Sequence, residues 1–163
     1  MHYLEYKDIV QINVWVQNIT EKQIKSTLGI RELNVLKSIP ESIQQTFDGI
    51  ELYPTLQDKA ICLWVSLSRY HCFVDGNKRT ALMTFIVFLE MNNYSIDIRI
   101  NEIYEICMKL AINQIEKKYV ENYLAQILRE NQEKIQETFS VSCYLNKYKN
   151  DANLIKLLIA LGE

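Results

Sequence analysis

The run His71-Cys72-Phe73-Val74-Asp75-Gly76-Asn77-Lys78-Arg79-Thr80 decides how this chain is read. It sets an imidazole, a carboxylate, a glycine, an amide and two cations between two long apolar stretches. On the upstream side, Thr55-Leu56-Gln57-Asp58 has the composition of a helix start, because Thr55 can cap and Asp58 suits the positive end of the dipole. Ala60, Ile61, Trp64, Val65 and Leu67 continue as a broad apolar stripe to Tyr70. On the downstream side, helical spacing resumes with Ala81, Leu82, Phe85, Ile86, Phe88 and Leu89 and ends at Asn92-Asn93. Both helices are apolar nearly all round, so they are expected to form the buried centre. A polar loop held between two such elements is where chemistry concentrates.

Outward from this core, the spacing predicts further helices. One runs from Tyr6 to about Asn18, over a run too long for one strand. A short one, Glu32 to Ile39, is expected to stop at Pro40, with another turn from Ser42 to Thr46. Phe47 to Pro54 carries Asp48-Gly49, the composition of a loop or small hairpin. Tyr94 to Ile100 is short and β-rich. Asn101 can then cap a helix reaching Leu110, and another runs from near Glu116 to Leu128. After Arg129 the composition turns polar. Asp151 is expected to cap a last apolar helix ending at Leu161, which either docks on its own domain or offers a partner surface. The fold class expected is all-α.

Composition narrows the partners. Among 163 residues, 18 are Lys or Arg and 20 are Asp or Glu. No basic run stands out, which argues against nucleic acid as the main partner. Cys62, Cys72, Cys107 and Cys143 form no C-x-x-C pair and read as reduced thiols, mostly core fillers, of a cytoplasmic protein. No secretory segment or membrane-length apolar run is present, so neither membrane nor export is expected. Two histidines, His2 and His71, exclude a multi-histidine metal site.

The central loop holds parts that suit phosphate. A helix beginning near Asn77 directs unpaired N–H groups and a positive dipole end outward, which favours anions. Gly76 lets the backbone approach a ligand, and Asn77 can donate an amide hydrogen bond. Lys78 and Arg79 bring charge, and arginine can grip phosphate as a fork. Asp75 can hold Mg²⁺ on those phosphates, since magnesium takes one or two protein carboxylates. The His71 imidazole can take a proton from an incoming hydroxyl. Phe73 is expected to anchor the loop in the core. Blander readings stand beside these: a hydrogen-bonding histidine, a common Asp-Gly-Asn turn and a solvated Lys-Arg pair. A P-loop is excluded, because G-x-x-x-x-G-K-S/T is missing.

The nine residues His71-x-Phe73-x-Asp75-Gly76-Asn77-Lys78-Arg79 resemble the signature of the Fic/Doc (Fido) superfamily, H-x-F-x-D/E-G/A-N-G/K-R. The flanks Glu51-Leu52-Tyr53-Pro54-Thr55, Thr80-Ala81-Leu82, Phe88-Leu89 and Asn93-Tyr94 look like its Doc (death-on-curing) branch. The resemblance covers about residues 1–128. It implies a Fido-fold helical bundle over 1–129, with a small flap before the motif helices; residues 130–163 lie outside the resemblance and are expected to be a helical extension of unknown role. It implies a Doc-type toxin that transfers the ATP γ-phosphate to a hydroxyl of a protein such as elongation factor Tu. Fic-type AMP transfer and an inactive Fido binding module are the alternatives. The implied cofactors are ATP and Mg²⁺, with His71 as general base, Asp75 on the metal, and Gly76, Asn77, Lys78 and Arg79 on the phosphates. Asp48, Gly49, Ile50, Glu51, Leu52 and Tyr53 match the flap that clamps an extended target peptide. Lys78 stands where AMP-transferring members usually have glycine, and Leu82 where they have a second arginine; both look like Doc. Gly76 is Fic-like, Doc having alanine there. No S/T-x-x-x-E-G/N inhibitory motif occurs, so the resemblance implies a separate antitoxin.

Overall fold

A computed structural model describes residues 1–134 and 140–162. Its helices are α1 (Tyr6–Thr20), α2 (Leu33–Ser42), α3 (Leu56–Tyr70), α4 (Asn77–Met91), α5 (Ile100–Ala111), α6 (Lys117–Ile127), α7 (Val141–Asn146) and α8 (Ala152–Gly162). Two short antiparallel pairs join them. One is β1 (Thr46–Phe47) with β2 (Ile50–Glu51), and the other is β3 (Tyr94–Ile96) with β4 (Leu128–Glu130). The all-α expectation is borne out, including the hairpin that precedes the motif helices.

The helix α4 is the axis of the molecule. Every residue from Arg79 to Met91 is buried, which is what a helix apolar on all sides requires. The helix α3 packs along it, with the Trp64 and Phe85 rings stacked at 4.4 Å between centroids. Its start is a capping box: Thr55 accepts from the Asp58 N–H at 3.0 Å while the Asp58 carboxylate accepts from the Thr55 N–H at 3.3 Å. The helices α1, α5, α7 and α8 pack on α4, and α2 and α6 cover α3.

The last apolar helix docks on its own fold. Leu154, Leu157, Leu158 and Leu161 are buried in the same core as α3 and α4. Ahead of it, the chain is fastened to α4 by Glu90, which accepts from Lys147 Nζ at 2.7 Å and from the Tyr148 hydroxyl at 2.5 Å. Burial and the Glu90 carboxylate both raise the Tyr148 pKa. Among the described residues no helix is long and apolar enough to cross a membrane. All four cysteines are free thiols, with Cys72 and Cys107 buried and Cys143 exposed.

Three expectations are corrected. The helix α2 does not stop at Pro40 but includes it and continues to Ser42. A proline inside a helix costs about 3 kcal/mol. Burying Leu36, Ile39 and Pro40 offsets this, at about 1.5–3 kcal/mol for each large apolar side chain. The helix α5 starts at Ile100 with Arg99 in the cap position, so Asn101 lies in the first turn. Leu128 leaves α6 as the first residue of β4, pairing with Ile96, and Ser95 pairs with Arg129. A strand this short has too few alternating positions to be seen in sequence.

Candidate active site

The chain leaves α3 at His71 with φ 46° and ψ 53°, the left-handed region. A residue with a β-carbon is uncommon there, and holding it costs on the order of 1–3 kcal/mol. The surroundings supply the restraint. The Cys72 carbonyl accepts from the N–H groups of Arg31 at 2.7 Å and Glu32 at 3.1 Å, and the Val74 N–H donates to the Gly29 carbonyl at 2.9 Å. Phe73 is buried in the core, as its place in a polar loop suggested. The Asn77 side chain closes the loop on itself. Its Oδ1 accepts from the Phe73 N–H and its Nδ2 donates to the Phe73 carbonyl, each at 2.9 Å. The amide expected to reach a phosphate thus uses one of its two N–H donors to shape the loop.

From beneath, α1 holds the same loop. Asn13 Nδ2 donates to the Asp75 carbonyl at 3.0 Å and to Thr80 Oγ1 at 2.9 Å. Gln17 Nε2 in turn donates to Asn13 Oδ1 at 2.7 Å. Gly76 follows with φ 75°, and a β-carbon there would come within 3.3 Å of Asn13 Nδ2. Conformation and space both call for glycine. The helix α4 begins one residue later, so the N–H groups of its first turn, which lack intrahelical partners, open at this point.

His71, Asp75, Gly76, Asn77, Lys78 and Arg79 line one cavity of about 120 Å³, closed on one side by Leu161 and Gly162 from the end of α8. Among the described residues no hydrogen bond reaches the His71 imidazole, which leaves it open to a ligand. Asp75 Oδ1 accepts from the Gly76 N–H at 2.7 Å and lies 3.6 Å from Arg79 Nη2. The Asp75 side chain is still 44% exposed, so a second oxygen remains for a cation. Arg79 is 1% exposed, and its Nη1 donates to Thr20 Oγ1 at 2.6 Å. Burial lowers its pKa and Asp75 raises it again, but a guanidinium keeps its charge. The positive charge nearest the glycine is thus fixed from inside the protein rather than supplied by a loose surface side chain.

The flap residues do not line this cavity. Asp48 and Gly49, at φ 52° and 79°, form the tight turn that the Asp-Gly pair suggested, with Phe47 opposite Ile50 and Thr46 opposite Glu51. Phe47 and Ile50 are 76% and 71% exposed. Glu51 is tied down instead: Lys59, buried on α3, bonds its carboxylate at 3.0 Å and the Ile43 carbonyl at 2.9 Å. The neighbouring Cys62 thiol, with burial, pushes the Tyr53 phenol up to about 12.

Four residues with a part in this geometry were not singled out from the sequence: Asn13, Gln17, Thr20 and Lys59. A signal existed for three. Asn13, Gln17 and Thr20 recur at helical spacing in an otherwise apolar helix, and all three are buried.

A family model described as "Fic/DOC family" matches residues 3–89. The chain belongs to the Fic/DOC family. The match covers α1 through most of α4, the elements that hold the Fic/DOC loop and its glycine. A "Toxin Doc" from Mycolicibacterium smegmatis (strain ATCC 700084 / mc(2)155) is 43% identical over 65 residues, 40% of this chain and 50% of that protein. The chain thus aligns with half the length of this curated relative. The Fic/DOC cavity has the right donors for a phosphate group: main-chain N–H groups, a lysine and a buried arginine edge. One carboxylate and no cluster of three metal-ligating side chains, among the described residues, suits magnesium that completes its shell with water and phosphate oxygens.

Proposed function

We propose that this Fic/DOC protein is a Doc-type toxin that moves the γ-phosphate of ATP to a hydroxyl of a target protein, elongation factor Tu being the expected one. It would be held in check by a separate antitoxin. The observation that carries this reading is the shared cavity, lined both by the His71 imidazole, which has no hydrogen-bond partner among the described residues, and by the first turn of α4. The His71 imidazole takes the proton of the target hydroxyl as its oxygen bonds to phosphorus, and the phosphorus–oxygen bond to ADP breaks. The N–H groups of the first turn of α4, with Lys78 and Arg79, hold the phosphate oxygens and take up the charge that develops on them. Magnesium on Asp75 would further neutralise that charge. A cavity of about 120 Å³ suits the phosphate end of a nucleotide, so the nucleoside lies outside it. The flap, from Asp48 to Tyr53, offers its open strand edge to an extended target segment.

AMP transfer is the second reading, favoured by Gly76. Leu82 weighs against it. This side chain is fully buried, so position 82 turns no cation toward the nucleotide. Incubation with cell extract and ATP labelled at the α or the γ phosphorus separates the readings. Label from γ alone is expected; label from α would establish AMP transfer. Absence of both would leave a Fido-fold binding module.

A further inference from the structure

A second cavity, of about 230 Å³, runs along the outer face of α3 and is bounded by Tyr53, Cys62, Val65, Arg69, Tyr70 and Lys117. It joins two parts of the proposed site. At one end Tyr53 stands two residues beyond β2 of the flap, and at the other Tyr70 immediately precedes His71. Cys62 and Arg69 are seven residues apart, about 10 Å at the helical rise. That is the reach of a few extended residues passing from the flap to the imidazole.

The charge in this groove is one-sided. Two cations line it and no carboxylate does. Lys117 is partly engaged, 3.4 Å from Glu121 and 5.6 Å above the Tyr53 ring. Arg69 is not. Its Nε is buried without an acceptor, and among the described residues no acid forms an ion pair with it. A guanidinium nitrogen withdrawn from water with nothing to donate to is unfavourable unless a ligand completes it. Its planar fork matches a carboxylate. Tyr53 and Tyr70 flank the cation, and Ile61 and Val65 supply an apolar wall for the stem of a side chain.

We propose that this groove receives an acidic side chain of the target polypeptide, with Arg69 as the residue that selects it. The assignment rests on the reading of this protein as a modifier of protein hydroxyls. It adds that the accepted hydroxyl has an aspartate or glutamate a few residues away.

The test uses binding rather than transfer. A library of end-blocked peptides with a central threonine and randomised flanks is passed over the full chain without nucleotide, and retained peptides are sequenced. Wild type is expected to enrich Asp or Glu at one flanking position. Arg69→Gln should lose that selection, and Arg69→Glu should replace it with Lys or Arg. For the best acidic peptide, Arg69→Gln should bind about tenfold more weakly. Arg69 is partly buried and forms no ion pair among the described residues, so these variants are expected to melt within a few degrees of wild type. Failure to retain peptides, retention without acidic preference, or the same preference in Arg69→Gln would each overturn the proposal. If acidic selection holds while no label passes from ATP, the transfer reading falls and the groove assignment stands.

Discussion

The motif loop and the flap hairpin are both short irregular segments beside α3, and they are built in opposite ways. The loop is restrained from every side: by Asn13 from α1, by the backbone of Gly29, Arg31 and Glu32, and by its own Asn77. The flap exposes Phe47, Ile50 and Leu52 and is fixed at its foot by one buried lysine. A segment that must hold reacting atoms in register is over-determined, because small displacements there weaken transition-state contacts steeply. The flap, to which the proposed function assigns an extended target segment, keeps an edge unpaired among the described residues.

The sharpest way to break this contrast is His71→Ala. Transfer is expected to fall by about 10²–10⁴-fold while the melting temperature stays near wild type, since the imidazole bonds to nothing described. Kinetics and calorimetry on one preparation read both, and retained transfer would refute the role of His71. Asn13→Ala should damage stability and activity together. It removes the shorter bonds to the Asp75 carbonyl and Gln17 Nε2, leaving those two only their mutual 3.5 Å bond, and about 1–3 kcal/mol should be lost in urea unfolding. Lys59→Met should act on the flap alone. It leaves the Ile43 carbonyl and Glu51 unpaired, costs about 1–2 kcal/mol, and should speed hydrogen exchange at the Leu52 N–H, which bonds the Gln45 carbonyl. Ile50→Ala should change stability by less than about 0.5 kcal/mol, as an exposed substitution does, and raise KM for a protein target more than it lowers kcat.

The smallest effect concerns the thiols. Burial pushes Cys72 up to about 11 and Cys107 up to about 12 from an ordinary 9.0. Both stay protonated in the fold after the unfolded chain would have released its protons. Stability should therefore fall as pH climbs above about 9, and at pH 8 a thiol reagent should modify exposed Cys143 first. Rapid labelling of Cys107 in the native protein would contradict its burial.

Much of the site was legible because its parts are contiguous. His71, Asp75, Gly76, Asn77, Lys78 and Arg79 lie on one loop and one helical turn, so chain order alone brings them close, while Leu161 and Gly162 of α8 complete the cavity they line. The Asp48-Gly49 turn was equally local, since its left-handed backbone needs only those two residues. Asn77 illustrates the limit. Its identity was plain, yet whether its amide would face a ligand or the Phe73 backbone depended on how tightly the loop turned. Arg79 was read as a phosphate contact, and its burial against Thr20 depended on where α1 lies.

The sequence by itself determined the two central helices, the glycine between them and the order of reactive groups, because periodicity and backbone preference are properties of neighbouring residues. Tertiary structure decided that the polar face of α1 supports the loop and that α8 ends at the cavity wall. It also decided that Pro40 lies inside a helix. A helical stripe states which face is buried but not which neighbour covers it, and a local penalty of a few kcal/mol yields wherever burial of neighbouring apolar side chains exceeds it.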